Sequence, residues 1–176
     1  MKFIKRLPLY LGLGIFVFSV IMSATKLGEN KAITYNKSRA AGSGTKLTLH
    51  FTEPNIISMM LTSEKQVAGI DAVIKYNKDM LSILSSTLIG GADFTTSGGT
   101  VNEDAGTFSF SSLAKPSFKN TGVVAMFEIR SKEGVANPAT EMTFDVTDER
   151  TAVVEKTTGR NILEDTAGSK FTITAK

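Results

Sequence analysis

Short stretches of alternating apolar and polar residues follow one another after Thr45, and clusters of Gly, Asn and Asp separate them. Alternation with a period of two is typical of strands that turn one face toward a core. No long helical stripe competes with this pattern, so the sequence predicts roughly nine strands. The main candidates are Lys46–Phe51, Ile56–Thr62, Val67–Tyr76, Met80–Ser86, Phe108–Phe110, Val123–Arg130, Met142–Val146 and Lys170–Thr174.

Strands of this number and spacing are sufficient for two packed antiparallel sheets, which makes the predicted fold an all-β sandwich. An immunoglobulin-like sandwich and a small barrel are alternatives within the all-β class. The chain contains no Cys and no Trp, so the Cys–Trp–Cys pattern of true immunoglobulin domains is missing. That specific alternative therefore has no support in the sequence.

Residues 1–24 have a different character from the rest of the chain. Lys2, Lys5 and Arg6 precede Leu7–Ala24, a run without a charged residue. A cationic flank followed by an apolar run predicts an export segment, and its length favours an uncleaved transmembrane helix over a cleaved signal peptide. The positive flank places the N-terminus in the cytoplasm. We therefore expect a single-pass, membrane-anchored cell-surface protein whose domain is extracytoplasmic, or a secreted protein if the leader is cleaved.

Residues 25–44 are polar and small and lack an apolar period, which predicts a flexible linker. Residues 45–176 form the predicted globular domain. This domain carries 13 basic and 16 acidic residues, a net charge of −3. A nucleic-acid-binding domain needs a cationic surface for phosphate contacts, so we expect no nucleic-acid partner.

Side chains suited to catalysis are scarce. His50 is the only histidine, and there is no Cys for a thiol nucleophile, so we expect His50 to be a half-exposed strand residue. Acidic residues cluster in predicted turns, where backbone conformation favours Asp, and we expect them to be solvated. These clusters are Glu103-Asp104, Asp145 with Asp148-Glu149, and Glu164-Asp165. The sequence predicts no enzyme, no cofactor and no metal site.

One stretch resembles a known family. Val67–Ile83, with the sequence VAGIDAVIKYNKDMLSI, resembles the cohesin signature, which runs approximately V-x-G-x-D-x-x-L-x-Y-D-P-x-x-L-x-V. The V-x-A-x-F-x-I strand of Val123–Ile129 and the closing Gly168–Ile173 are also similar to cohesins. At Asn77-Lys78 this chain departs from the Asp-Pro of the signature. The resemblance covers the chain from about Thr45 to Thr174.

The resemblance implies a nine-stranded jelly-roll sandwich and a non-catalytic role. Cohesins hold the dockerin modules of polysaccharide-degrading enzymes, so the implied partner is a dockerin-like protein. Dockerin-contacting cohesins use an Asp at the position of Asp71, together with a polar residue at the position that Gly69 occupies here. The resemblance therefore implies a contact role for Asp71.

The period of two predicts which side chains face outward on two of the strands. Asp71, Val73 and Lys75 share the outward side of the strand that ends at Tyr76. In Val123–Arg130 the outward set is Val124, Met126 and Glu128. If the two strands share a sheet, these six residues form a partner-binding face with an apolar centre and a charged rim. Alternatively, other parts of the domain cover the apolar members.

We therefore expect a surface-anchored binding module that presents a sheet face to a protein partner in a polysaccharide-degrading or envelope assembly. A carbohydrate-binding module attached to the envelope is the first alternative, because the resemblance implies a fold that some polysaccharide-binding modules share. A structural element of the envelope is the second alternative. A type IV pilin is not expected, because the apolar run lacks an acidic residue near its start.

Overall fold

The structure is a computed structural model that describes residues 43–52 and 54–173. The predicted export helix of residues 1–24 and most of the predicted linker lie outside these residues. No helix within the described ranges is long and apolar enough to span a membrane. The strands of the described residues are β1 (Lys46–Thr52), β2 (Ile56–Thr62), β3 (Val67–Lys75), β4 (Leu81–Gly90), β5 (Phe94–Asn102), β6 (Thr107–Ala114), β7 (Thr121–Ser131), β8 (Ala139–Phe144), β9 (Ala152–Glu155), β10 (Asp165–Ala167) and β11 (Ser169–Thr172).

The strands form two sheets. One is five-stranded with the order β10-β1-β2-β7-β4, and the other is six-stranded with the order β11-β8-β3-β6-β5, in which β9 also pairs with β3. Neighbouring strands run antiparallel except β1 and β10, which run parallel. The last two strands divide between the sheets, since β10 joins the first and β11 the second. The predicted all-β sandwich is confirmed.

Aromatic side chains join the two sheets at the core. The ring centroids of Phe108 on β6 and Phe127 on β7 lie 4.9 Å apart, and both rings are almost fully buried. Phe51 on β1 stacks on Phe171 of β11 with centroids 4.6 Å apart. Because each strand contributes every second residue to this interior, the alternation in the sequence becomes a continuous apolar layer between the sheets.

Three of the eleven strands in the described part of the chain, β5, β9 and β10, were not among the predicted candidates. β9 has four residues and β10 has three, too few for a period to be visible. β5 contains Gly98-Gly99, a glycine pair of the kind that is typical of turns between strands. Gly98 has a φ of +79° inside a register shift between Ser97 and Thr100, so this glycine pair forms a bulge within a strand.

β7 departs from the predicted alternation at Val124. Met59 pairs with Ala125 and Met60 pairs with Val123, so β7 has an extra residue at this point. Because of the extra residue, the side chains N-terminal to the bulge point to the opposite side of the sheet from the one that the alternation predicts. Val124 is fully buried in the core, and the prediction that it faces outward is wrong.

The folded domain begins before the predicted boundary at residue 45. Ser43 is 1% exposed, and its hydroxyl donates a hydrogen bond of 2.7 Å to the carbonyl of Ile162. The backbone amides of Ser43 and Gly44 both donate to the carboxylate of Glu164. Two residues that the sequence assigned to the linker are therefore held by the sandwich, Ser43 in a buried position and Gly44 through a hydrogen bond at the surface.

Candidate functional site

The six predicted partner-binding residues divide between two sheets. Asp71, Val73 and Lys75 lie on β3 of the six-stranded sheet, whereas the strand that carries Met126 and Glu128 belongs to the five-stranded sheet. Val124, the sixth residue, is buried in the core. The prediction of a single face formed by all six is wrong, because the outward faces of a sandwich lie on opposite sides of the core.

The three residues on β3 do share one surface. We call it the Asp71 face: the outward side of the six-stranded sheet around Asp71. Its central row crosses from Ala152 on β9 through Asp71 to Ser111 on β6 and Ser97 on β5. The next row towards the end of β3 passes through Val73 and Ser109 on β6. Most of these side chains are small, so an approaching partner can come close to the sheet.

Asp71 is the charged centre of this surface. The hydroxyl of Ser111 donates a hydrogen bond of 2.6 Å to its carboxylate, and this bond orients the carboxylate across the β3–β6 ladder. Asp71 is exposed, and no cation of the described residues lies within ion-pair distance of it. The carboxylate is therefore free to accept a hydrogen bond from a cationic group outside the domain.

Leu113 supplies the largest exposed apolar side chain of the face. It is 66% exposed, and it pairs with Gly69 across the β3–β6 ladder. A Cβ placed at Gly69 would lie 3.3 Å from Cδ2 of Leu113 and 3.0 Å from the carbonyl oxygen of Ser112. The absence of a side chain at Gly69 therefore leaves room for Leu113 to lie over β3, next to the row of Asp71.

A short flap borders the face where two strands share one side of β3. β9 pairs with Val67–Asp71 and β8 with Ile74 and Lys75, so the chain between them, Val146–Arg150, loops away from the ladder. The hydroxyl of Thr151 bridges the gap, because it accepts from the amide of Val73 at 3.1 Å and donates to its carbonyl at 3.1 Å. We call Val146–Arg150 the flap.

Asp145, at the base of the flap, was expected in a solvated turn, and this expectation is wrong. It is 2% exposed, and its carboxylate lies 3.0 Å from Nζ of Lys75 and 3.4 Å from a guanidinium nitrogen of Arg150. Thr147 adds a side-chain hydrogen bond of 2.5 Å. Burial by itself would raise the pKa of Asp145, but the hydrogen bonds from Thr147 and Lys75 outweigh burial and lower the pKa from 3.8 to about 2.

The described residues include few groups that are placed for catalysis or for metal binding. Among them, no group of three or more His, Asp or Glu side chains is arranged to hold a metal ion. His50 is exposed on β1, and its Nε2 lies 3.0 Å from the hydroxyl of Thr48. Burial, with a smaller effect from the negative charge of Glu103, raises the pKa of Tyr76, so its phenol stays neutral. These side chains have surroundings typical of structural positions.

Ser111, Leu113 and the flap were missed by the sequence analysis. The alternation that predicts buried Phe108 and Phe110 places Ser109, Ser111 and Leu113 outward, so a signal for Ser111 and Leu113 was present. Nothing in the sequence indicates that β6 lies beside β3, because β4 and β5 separate these two strands in the chain.

Comparison with solved structures relates this arrangement to known proteins. A non-cellulosomal cohesin from the archaeon Archaeoglobus fulgidus has a TM-score of 0.56 and 10% sequence identity, over 74% of this chain and 91% of that chain. A type II cohesin–X–dockerin complex from Acetivibrio cellulolyticus matches with a TM-score of 0.53 and 16% identity, over 70% of this chain and 97% of that one. The described domain has the cohesin fold. The predicted resemblance is thereby confirmed at the level of the fold.

The cohesin fold recurs in a further complex. A type I cohesin–dockerin complex from Clostridium thermocellum matches with a TM-score of 0.54 and 12% identity, over 74% of this chain and 93% of that chain. No protein-family profile and no curated protein matches the chain by sequence. The match to solved structures therefore relates this domain to known proteins through its fold.

Proposed function

We propose that this chain is a non-catalytic protein-binding module that receives a dockerin-like partner on the Asp71 face. The observation that carries the proposal is the presence of two side chains on one sheet face whose other residues are mostly small. Ser111 orients the carboxylate of Asp71, which no described cation neutralises, and Leu113 is exposed on the same face. Protein interfaces combine an apolar contact with polar groups in this way. The cohesins of the Acetivibrio and Clostridium complexes, which share the fold, are bound to dockerins.

We also propose that the domain is displayed outside the cell on the N-terminal anchor, in a polysaccharide-degrading or envelope assembly. This part rests on the cationic flank and the apolar run of the sequence. Protease accessibility on intact cells tests it. A domain that resists external protease, while a known surface protein is digested, would contradict the proposed location.

Surface plasmon resonance tests the binding function. The full chain is immobilised from mild detergent, and the analytes are dockerin-like modules encoded in the same genome and the dockerins of the two complexes. Leu113→Asp should weaken binding at least tenfold, because a charge replaces the apolar contact. The matched control is Ile89→Asp on the five-stranded sheet, since Ile89 is 56% exposed and lies away from the face. Equal effects of the two substitutions would refute the assigned face.

A carbohydrate-binding module remains the alternative function. Such modules bind sugar rings with exposed aromatic side chains, whereas every Phe and Tyr that the structure describes is buried or half-buried. Affinity electrophoresis on a panel of polysaccharides distinguishes the two functions. Retardation on a polysaccharide, without binding to any dockerin-like module, would favour the alternative.

A further inference from the structure

The flap lies over the outward side of the six-stranded sheet. Along β8, Met142 and Phe144 are buried in the core, so the alternation turns Thr143 and then Asp145 outward. The ion pair of Asp145 with Lys75, another outward residue, confirms this direction. An outward side chain is normally solvated, yet Asp145 is only 2% exposed. The flap therefore covers Asp145 and forms a raised rim beside the Asp71 face.

The conformation of the flap is held from both ends. Asp145 accepts hydrogen bonds from the amide and hydroxyl of Thr147, and Arg150 donates to the other carboxylate oxygen. Between these points Asp148 and Glu149 have φ values of +49° and +58°, in the left-handed region that non-glycine residues rarely adopt. Such strained conformations persist only where the surroundings impose them, and they concentrate at functional sites.

The rim adds an exposed apolar side chain to the Asp71 face. Val146 is 36% exposed and directly follows Asp145, whose amide donates to the carbonyl of Val73 at 2.7 Å, so the flap adds an exposed apolar side chain at the Val73 end, while Leu113 lies beside Gly69. Asp71 lies between these two apolar side chains along β3 and is not neutralised within the described residues. A complementary surface would present a basic side chain between two apolar ones.

The charges of the flap favour the same partner. Lys75 and Arg150 both pair with Asp145, and these three groups sum to one positive charge, fewer than the two negative charges of Asp148 and Glu149. Asp148 and Glu149 form no ion pair with any described cation, so the outer part of the rim is negative, as is the centre of the face. The two negative regions attract a basic partner and repel an acidic one.

We propose that the flap is a specificity-determining rim of the Asp71 face, held in place by Asp145. It selects a protein partner that presents a basic side chain between two apolar residues. The proposal rests on the proposed function, because it assumes that a protein binds this face. Val146 contacts the partner, Asp148 and Glu149 steer its basic group, and Asp145 is a positioning residue.

The test compares affinities for two dockerin-like modules that both bind the full wild-type chain and differ in the charge of their contact surface. Val146→Asp should weaken binding of both at least fivefold. Glu149→Lys should weaken the basic module at least fivefold and leave the acidic one unchanged or improved. Asp145→Asn should reduce the ratio between the two affinities while the domain stays folded, and a purely structural role would leave that ratio unchanged.

The controls separate this proposal from the proposed function. Glu133→Lys makes the same charge change at an exposed residue of the β7–β8 loop and should leave the affinity ratio unchanged. If Leu113→Asp weakens binding but Val146→Asp and Glu149→Lys do not, the partner binds the Asp71 face and the rim proposal is wrong. If the wild-type chain binds no dockerin-like module, both proposals are wrong.

Discussion

Nζ of Lys75 lies 3.0 Å from Oδ1 of Asp145, and this ion pair fixes a carboxylate that is 2% exposed. The folded-state pKa of Asp145, about 2, is below its ordinary value of 3.8, so the unfolded chain binds the proton more readily. The resulting stabilisation, about 2 kcal/mol, is complete above the unfolded pKa and is lost as the pH falls through the folded one. Urea unfolding at about pH 5 and about pH 2, followed by circular dichroism, measures this loss.

Asp145→Asn is the control for this pH dependence. The variant lacks the carboxylate, so its stability should fall less steeply over the same interval, although other carboxylates still titrate. The pH prediction would be wrong if the unfolding free energies of wild type and Asp145→Asn decreased in parallel.

Thr151→Val should destabilise the domain by about 2 kcal/mol, because it leaves the amide of Val73 without its acceptor and removes one of the two donors to the Val73 carbonyl, which keeps the amide of Asp145 at 2.7 Å. Thr151→Ser keeps a hydroxyl and should recover most of the loss. Thr172→Val is the matched control at an exposed strand position and should change the free energy little. Chemical denaturation of the three variants checks the prediction, and equal stabilities would contradict it.

Gly91→Ala should cost about 3 kcal/mol, because the new Cβ would lie 1.7 Å from the carbonyl oxygen of Val123 and the backbone must move. The amide of Gly91 also donates to Val124 at 3.0 Å, which ties this turn to the bulge in β7. Gly122→Ala is the control, since its nearest neighbour would be at an ordinary 3.5 Å. Thermal unfolding should separate the two variants by many degrees, and similar melting temperatures would rule out the close approach.

Ser43→Ala should lower the unfolding free energy by about 1–2 kcal/mol, because it leaves the buried carbonyl of Ile162 without its 2.7 Å donor. The equivalent change at Ser117, which is exposed, should have no measurable effect. Urea titration of both variants provides the measurement. If the unfolding free energy falls no more for Ser43→Ala than for the change at Ser117, the folded domain begins at the predicted residue 45.

Asp71→Asn should reduce affinity for a dockerin-like partner about tenfold, because the amide still accepts from Ser111 but the charge is lost. The dependence of affinity on salt should become weaker as well. Asp79→Asn removes a charge from an exposed turn and serves as the control. Calorimetric titration at low and moderate salt measures both effects; an unchanged affinity would exclude Asp71 from the contact.

Much of the fold could be predicted from the alternation of residues along single strands. The limits of β2 were predicted without error, and those of β3 to within one residue, because buried and outward side chains alternate along β2 and along β3 from Ile70 onward. β7 was located correctly, but the side chain of Val124 was predicted to point outward and is buried. One extra residue opposite Met59 and Met60 reverses the alternation at this point. Bulges depend on the partner strand, which a single-strand pattern does not contain.

The candidate site was predicted in part. Asp71, Val73 and Lys75 do share an outward face, because the period of two fixes the relation among residues of one strand. Met126 and Glu128 were assigned to the same face, yet they lie on the opposite sheet. Which strands become neighbours depends on long-range packing, and no local pattern records it.

The sequence by itself determined the all-β class, the resemblance to cohesins and the outward position of Asp71, because these depend on residue type and spacing within short segments. The tertiary structure decided that Ser111 holds Asp71, that Leu113 lies over Gly69, and that Asp145 is buried beneath a flap. The first two relations and the ion pair of Lys75 with Asp145 join residues far apart in the chain, and only the pairing of β3 with β6, β8 and β9 brings them together.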